Sequence, residues 1–253
     1  MRLTGKVAIV TGSGVGLGRA VAMRYAQEGA KVVVAEISAA HGAKTVAEIE
    51  DKGGKALLVQ TDIGEETHVQ RMCEAALRKY GRVDVLYNNA AILLRPGETR
   101  VHELTTEAWD ATFRVNLRGL WLSCKYVIPI MLKQGGGSII NVGSPTAMLG
   151  CAPGINAYAA SKGGVMALSR IMAVDYAADK IRVNIIVPGT MDTPMNDSLM
   201  ADPDLQEKYL ARIPLGRFGK AEDLNGLAVF LASDDSSYCT GAIYLADGGL
   251  TLV

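Results

Sequence analysis

Apolar residues recur along this chain in two alternating rhythms. Short apolar runs at 6–10, 31–36, 56–60, 83–87, 181–187 and 241–245 read as strands, and 135–142 as a Gly-rich turn followed by a strand. Between them, amphipathic spacing predicts helices over 19–28, 39–52, 65–80, 105 to about 132, 156–178 and 221–232. Gly29, Gly53-Gly54 and Gly81 stop the first three, and Thr105 is placed to cap the fourth. Strands separated by helices predict βαβ units. The fold expected is α/β, a single Rossmann-like doubly wound parallel β-sheet flanked by helices on both faces. No repeat, low-complexity tract or linker interrupts the pattern, so residues 1–253 are expected to form one domain. The stretch from Met195 to Leu215 is Met-rich and mixed in charge, the candidate for a substrate lid over about 190–215.

Ligands of such sheets bind beyond the strand C-termini, where the strand order reverses, so chemistry is sought there. The first strand runs into Thr11-Gly12-Ser13-Gly14-Val15-Gly16-Leu17-Gly18, with four glycines in seven residues. A strand, a Gly-rich turn and a helix aim backbone N–H groups at a phosphate. No Gly-Lys-Ser/Thr closes the turn, so it is not a P-loop. The second strand ends at Glu36-Ile37, with Glu36 18 residues beyond Gly18, near the spacing at which an acid meets an adenosine ribose. A carboxylate there accepts from both ribose hydroxyls and repels a 2′-phosphate by ~4 kcal/mol per unit charge at about 4 Å and an effective dielectric of about 20. Ser13 offers no cation to offset this, so NAD(H) is expected over NADP(H). Later strand ends carry Asp62-Ile63, Asn88-Asn89-Ala90, Gly143-Ser144 and Pro188-Gly189.

Tyr158 and Lys162 lie four apart on one helix face. Free Tyr, with a pKa of ~10, does not trade protons near neutrality. A cation held close favours the phenolate, and a drop of ~3 units corresponds to ~4 kcal/mol. The pair therefore suits general acid–base work on a carbonyl or alcohol. Asn116 sits between Val115 and Leu117 on an apolar helix, where its amide needs a partner.

Composition narrows the alternatives. Hydrophobic residues make up 49% and charged residues 21%, and the 26 basic and 26 acidic side chains cancel. That balance gives no electrostatic case for nucleic acid or an anionic membrane. The apolar runs are too short or interrupted to span a bilayer, and the first residues lack an apolar signal region. A cytoplasmic location is expected. Cys73, Cys124, Cys151 and Cys239 form no Cys-x-x-Cys pair and have no His at ligand spacing, so no metal site is expected. His41, His68 and His102 read as surface residues, and no Ser-His-Asp hydrolase is suggested.

Assembled, these residues resemble the short-chain dehydrogenase/reductase family almost end to end, from Thr11 to Gly249. The signature comprises Thr-Gly-x-x-x-Gly-x-Gly at 11–18, Asn-Asn-Ala at 88–90, Asn116, Ser144, Tyr158-x-x-x-Lys162 and Pro188-Gly189. The resemblance implies four catalytic positions. Tyr158 is the acid/base, Lys162 lowers its pKa and holds the nicotinamide ribose, Ser144 bonds the substrate oxygen, and Asn116 anchors a relay water. The implied NAD-binding set is Gly12, Ser13, Gly14, Gly16, Leu17, Gly18, Glu36, Ile37, Asp62, Ile63, Asn89, Ala90, Tyr158, Lys162, Pro188, Gly189 and Thr193. The substrate pocket is expected to draw on Leu93, Leu94, Pro145, Met148, Cys151, Met191, Met195, Leu199 and Met200, which suits a fairly apolar alcohol or ketone. Ala91 stands where the family usually has Gly, and the 14-residue step from Ser144 to Tyr158 is one longer than usual. The stretches Pro214-Leu-Gly-Arg-Phe-Gly219 and Leu231-Ala-Ser-Asp-Asp235 resemble 3-oxoacyl-carrier-protein reductases, for which Arg95, Arg100 and Arg212 offer carrier-docking charges. An NAD-binding sensor or scaffold is the non-enzymatic alternative. Family members of that kind tend to lose the Tyr or Lys that this chain keeps. The family is commonly tetrameric through its long helices and last strand, so a homotetramer is expected.

Overall fold

The computed structural model describes residues 1–94, 97–150 and 152–252. The strands are β1 (Val7–Thr11), β2 (Lys31–Glu36), β3 (Lys55–Gln60), β4 (Val85–Asn88), β5 (Gly137–Val142), β6 (Ile181–Pro188), β7 (Met191–Asp192), β8 (Gly219–Lys220) and β9 (Ile243–Ala246). Between them run α1 (Gly16–Gln27), α2 (Ala39–Asp51), α3 (Glu66–Tyr80), α4 (Thr106–Phe113), α5 (Leu120–Gln134), α6 (Asn156–Asp175), α7 (Asp197–Met200), α8 (Pro203–Leu210) and α9 (Asn225–Ala232). Seven strands form one sheet in the order β3-β2-β1-β4-β5-β6-β9, parallel throughout, while β7 and β8 pair separately. The order reverses between β1 and β4, which opens the crevice that the strand ends surround.

The period-2 pattern of the strands explains the layers. Ala8, Val10, Val32 and Val34 bury against Val21 and Tyr25 of α1, Ile49 of α2 and Val229 of α9. Val7, Ile9, Val33 and Ala35 face the other way, onto Met72 of α3, Leu122 and Val127 of α5, and Val165 and Met172 of α6. Burial of each Val, Ile, Leu or Met side chain among these contributes about 1.5–3 kcal/mol, so both helical layers are required by the sequence.

Caps follow chemistry. Thr105 Oγ1 accepts from Ala108 N at 3.2 Å to start α4, and Gly81 closes α3 at φ 78°. The helical region expected from 105 to about 132 is broken in register. A π-helix spans Arg114–Gly119, and α5 then runs through Pro129 to Gln134. The widened turns hold Asn116, and such turns are frequent at functional sites. The expected lid region carries α7 and α8, the latter capped by Asp202, whose Oδ1 accepts from Asp204 N and Leu205 N.

Candidate active site

A cavity of about 470 Å³ lies along the C-terminal ends of the strands. Its floor at one end is the β1–α1 turn. Gly12 and Gly16 present bare backbone there, at φ 62° and 55°. A Cβ on Gly12 would lie 2.8 Å from Ala90 Cα, and one on Gly18 would run into the Gly12 carbonyl. Asn89 Nδ2 ties the turn down by donating to Thr11 O at 3.1 Å and Gly12 O at 3.0 Å. This cradle, half-buried backbone that reaches the cavity at Gly12 and Gly16 beside Val15 and Leu17, fits the pyrophosphate of a dinucleotide. Ser13, Gly14 and Gly18, expected to touch the cofactor, are buried beneath the turn and do not line the cavity. Ser13 Oγ donates to Val10 O at 2.7 Å, so its hydroxyl serves the loop.

Glu36 is buried at the end of β2 and lines the cavity beside Ile37. Its Oε2 accepts from Gly14 N at 2.8 Å and its Oε1 from Ser38 N at 3.1 Å. Each oxygen keeps lone-pair capacity toward the cavity. Asp62 and Ile63 also line it. Asp62 Oδ1 accepts from Gly64 N at 2.8 Å, and its Oδ2 pairs with Arg114 Nη1 at 3.0 Å. Arg114 is a wall residue that sequence reading missed, because a helical Arg carries no local signal of a partner 52 residues away. His68, read as a surface residue, is half-buried, and its Nδ1 accepts from Asp62 N at 3.3 Å.

At the other end, Ser144, Pro145, Tyr158, Lys162, Pro188, Gly189, Met191, Thr193 and Met195 share the wall with Ile92 and Leu93. The Lys162 Nζ lies 5.6 Å from the Tyr158 ring centroid and donates to Val142 O at 2.8 Å. Its burial pushes the ammonium down to about 8. Ser144 Oγ lies 2.9 Å from Thr146 Oγ1, a second hydroxyl on the wall that sequence reading did not single out. Asn116 is buried. Its Nδ2 donates to Ile92 O at 2.9 Å and Ser161 Oγ at 3.2 Å, and its Oδ1 accepts from Ile92 N at 2.8 Å. Both amide hydrogens are therefore spent on protein, and the relay expected of this side chain is left only Oδ1 to meet a water.

The substrate expectations divide. Leu93, Pro145, Met191 and Met195 line the cavity, whereas Leu94, Met148, Leu199 and Met200 do not. Leu199 is buried in packing and Met148 is 44% exposed. Cys151 and Arg95 lie outside the described residues. Tyr209, at the end of α8, and Arg212, just beyond it, complete the wall.

The family model described as enoyl-(acyl carrier protein) reductase matches residues 12–251. A short-chain type dehydrogenase/reductase of Mycobacterium marinum superposes with a TM-score of 0.94 at 33% identity, over 99% of this chain and 97% of its own. The chain belongs to the short-chain dehydrogenase/reductase family. It is thus an oxidoreductase of a family that uses NAD(P). Among curated relatives, the 3-oxoacyl-[acyl-carrier-protein] reductase of Thermotoga maritima is 42% identical over the whole of both chains. A structure assigned as an NAD(P)-dependent gluconate 5-dehydrogenase of Beutenbergia cavernae, carrying NADP at low occupancy, is 36% identical with a TM-score of 0.93, over 99% of this chain and 98% of its own. Among the described residues of this dehydrogenase/reductase, no helix is long and apolar enough to cross a membrane.

Proposed function

We propose that the protein is a cytoplasmic, NAD(H)-dependent dehydrogenase that interconverts a secondary alcohol and its ketone. The observation that carries this reading is the buried Lys162 Nζ, 5.6 Å from the Tyr158 ring, on the wall of a cavity that begins at a glycine cradle. Gly12, Gly16 and Leu17 would hold the pyrophosphate, Glu36 the adenosine ribose, and Lys162 and Thr193 the nicotinamide end. The bound nicotinamide supplies or accepts the hydride, and the protein manages position and protons. Tyr158 OH donates a proton to the carbonyl oxygen in reduction and takes the alcohol proton in oxidation. Lys162, beside the ring and bonded to the neutral Val142 carbonyl, favours the phenolate. Ser144 Oγ, held by Thr146, donates to the same substrate oxygen. Loss of one such donor typically costs about 10²–10³ in rate.

Preference for NAD(H) rests on Glu36. A 2′-phosphate would meet its carboxylate, and Arg114, the cation on that wall, is tied to Asp62 and Glu65 at 3.0 and 3.1 Å. A second reading, 3-oxoacyl-carrier-protein reduction, is favoured by the 42% identity to a reductase of that name. It would draw on Arg100 and Arg212 to dock an acidic carrier. A homotetramer also belongs to the proposal, supported by the exposed apolar face of α5 and α6.

An initial-rate screen separates the readings. Cyclic and linear secondary alcohols are offered with NAD⁺ and NADP⁺, beside reduction of an acetoacetyl thioester. NAD⁺-dependent alcohol oxidation is expected, and Tyr158→Phe should lower kcat by about 10²–10⁴ while NADH binding survives. Thioester reduction with NADPH alone would replace the leading reading with the second.

A further inference from the structure

Tyr158 stands in the first turn of α6, and α6 begins without a cap of its own, since Ile155 offers no side-chain acceptor. The orphan N–H groups of such a turn need partners from elsewhere. Ala157 N and Tyr158 N both donate to one carboxylate, that of Glu98, at 3.0 and 2.8 Å. Glu98 lies 60 residues upstream of Tyr158, in the loop after β4. Asn156 Nδ2 adds a bond to Thr99 O of the same loop. On its other side, Tyr158 O accepts from Ser161 Oγ at 2.7 Å, and Ser161 Oγ accepts from Asn116 Nδ2 at 3.2 Å. Asn116 in turn clamps Ile92, where the same loop begins. The Tyr158 backbone is thus gripped at both its N–H and its C=O, and both grips lead back to one loop. Ile92 and Leu93 of that loop also line the cavity.

We infer that Glu98 is a positioning residue for Tyr158, acting through the backbone N–H groups of the first turn of α6. The inference rests on Tyr158 being the acid/base proposed above. A charged double acceptor fixes the turn more firmly than a neutral cap. It also brings a negative charge to Tyr158, which otherwise faces Lys162 on its own helix. The remaining charged side chains on the cavity wall are Glu36, Asp62, Arg114 and Arg212.

The test follows the Tyr158 phenolate by its ultraviolet difference spectrum, protein minus Tyr158→Phe, which needs no substrate. Glu98→Gln keeps the size and one acceptor but removes the charge. It should move the Tyr158 titration to lower pH by about half a unit, the effect of one charge about 10 Å away at an effective dielectric of about 40. With cyclohexanol and NAD⁺, Glu98→Ala should lower kcat about tenfold or more, as expected for misplacement of a reacting group. The KM for NAD⁺ should stay put, and Glu98→Asp should recover part of the loss. An unchanged kcat in Glu98→Ala, or an unmoved titration in Glu98→Gln, overturns the inference. A Tyr158 that ionises at the ordinary value of ~10 would instead sink the acid/base reading, and that result is read from the parent protein against Tyr158→Phe, with no Glu98 variant involved.

Discussion

Lys162 carries a cost that its neighbours do not remove. It is 3% exposed, and its Nζ donates to a neutral carbonyl, Val142 O. Burial lowers its pKa from 10.5 to about 8, a difference worth about 3 kcal/mol. The sign follows from proton counting. Below pH about 8 the folded and unfolded states both hold the proton, and folding bears the full desolvation cost. Between about 8 and 10.5 the unfolded chain holds the proton that the folded state has released, so stability rises with pH. Above 10.5 the cost is gone. Lys162→Met should therefore raise the unfolding free energy at about pH 7 by about 1–2 kcal/mol, after about 1–2 is lost to the unpaired Val142 carbonyl. The advantage should shrink as pH climbs toward about 10. Thermal unfolding of both proteins across that range checks it. A constant offset would mean that Lys162 is not desolvated as its surroundings dictate. Turnover should be lost in the same variant, which separates stability from chemistry at one residue.

At the scale of elements, the β1–α1 turn has the least room for change. A Cβ on Gly18 would collide with the Gly12 carbonyl and Asn89 Nδ2, and both are fixed parts of the cradle. Gly18→Ala should lower stability by about 1–3 kcal/mol and NADH affinity by a factor of about 100 or more. Gly150→Ala, where a Cβ meets nothing within 4 Å, should change neither. Calorimetry measures the first effect and titration of NADH fluorescence the second. This turn was legible in the sequence because its glycines follow a strand directly. So were the central strands and most helices, whose apolar periods are strong. The π-helix at Arg114–Gly119 was not, since Arg-Val-Asn-Leu-Arg-Gly contains no breaker ahead of Gly119 that would mark a change of register. Nor were Glu98 and Arg114, whose roles depend on partners more than 50 residues away. Ser13 misled for the opposite reason. It sits in the right motif, but its side chain turns inward to Val10.

For the whole molecule, the question is what covers α6 on the side away from the sheet. Its inner stripe, Val165, Met172 and Ala173, is buried in the core. Its outer stripe runs Gly164, Leu168 and Ile171, spaced at i, i+4 and i+7. Gly164 and Leu168 line a second concavity with Asp110, Phe113, Leu117 and Trp121. Farther along α6, Ile171 is 62% exposed and Val174 77%, and Trp121 within the concavity is 44% exposed. These exposed apolar side chains, flanked by Asp110, Arg114 and Arg118, suit a partner helix better than water. The same helix carries Tyr158 and Lys162, so a second copy packed on the outer stripe would stiffen the chemistry from behind. Light scattering on the parent protein should return four times the chain mass. Ile171→Asp with Val174→Asp places two carboxylates on that face, where burying them unpaired costs several kcal/mol. The double variant should fall to a smaller species while far-ultraviolet dichroism stays native, because neither side chain contributes to the core. A tetramer that survives both charges would put the interface elsewhere, and a monomeric parent would remove the tetramer from the proposal.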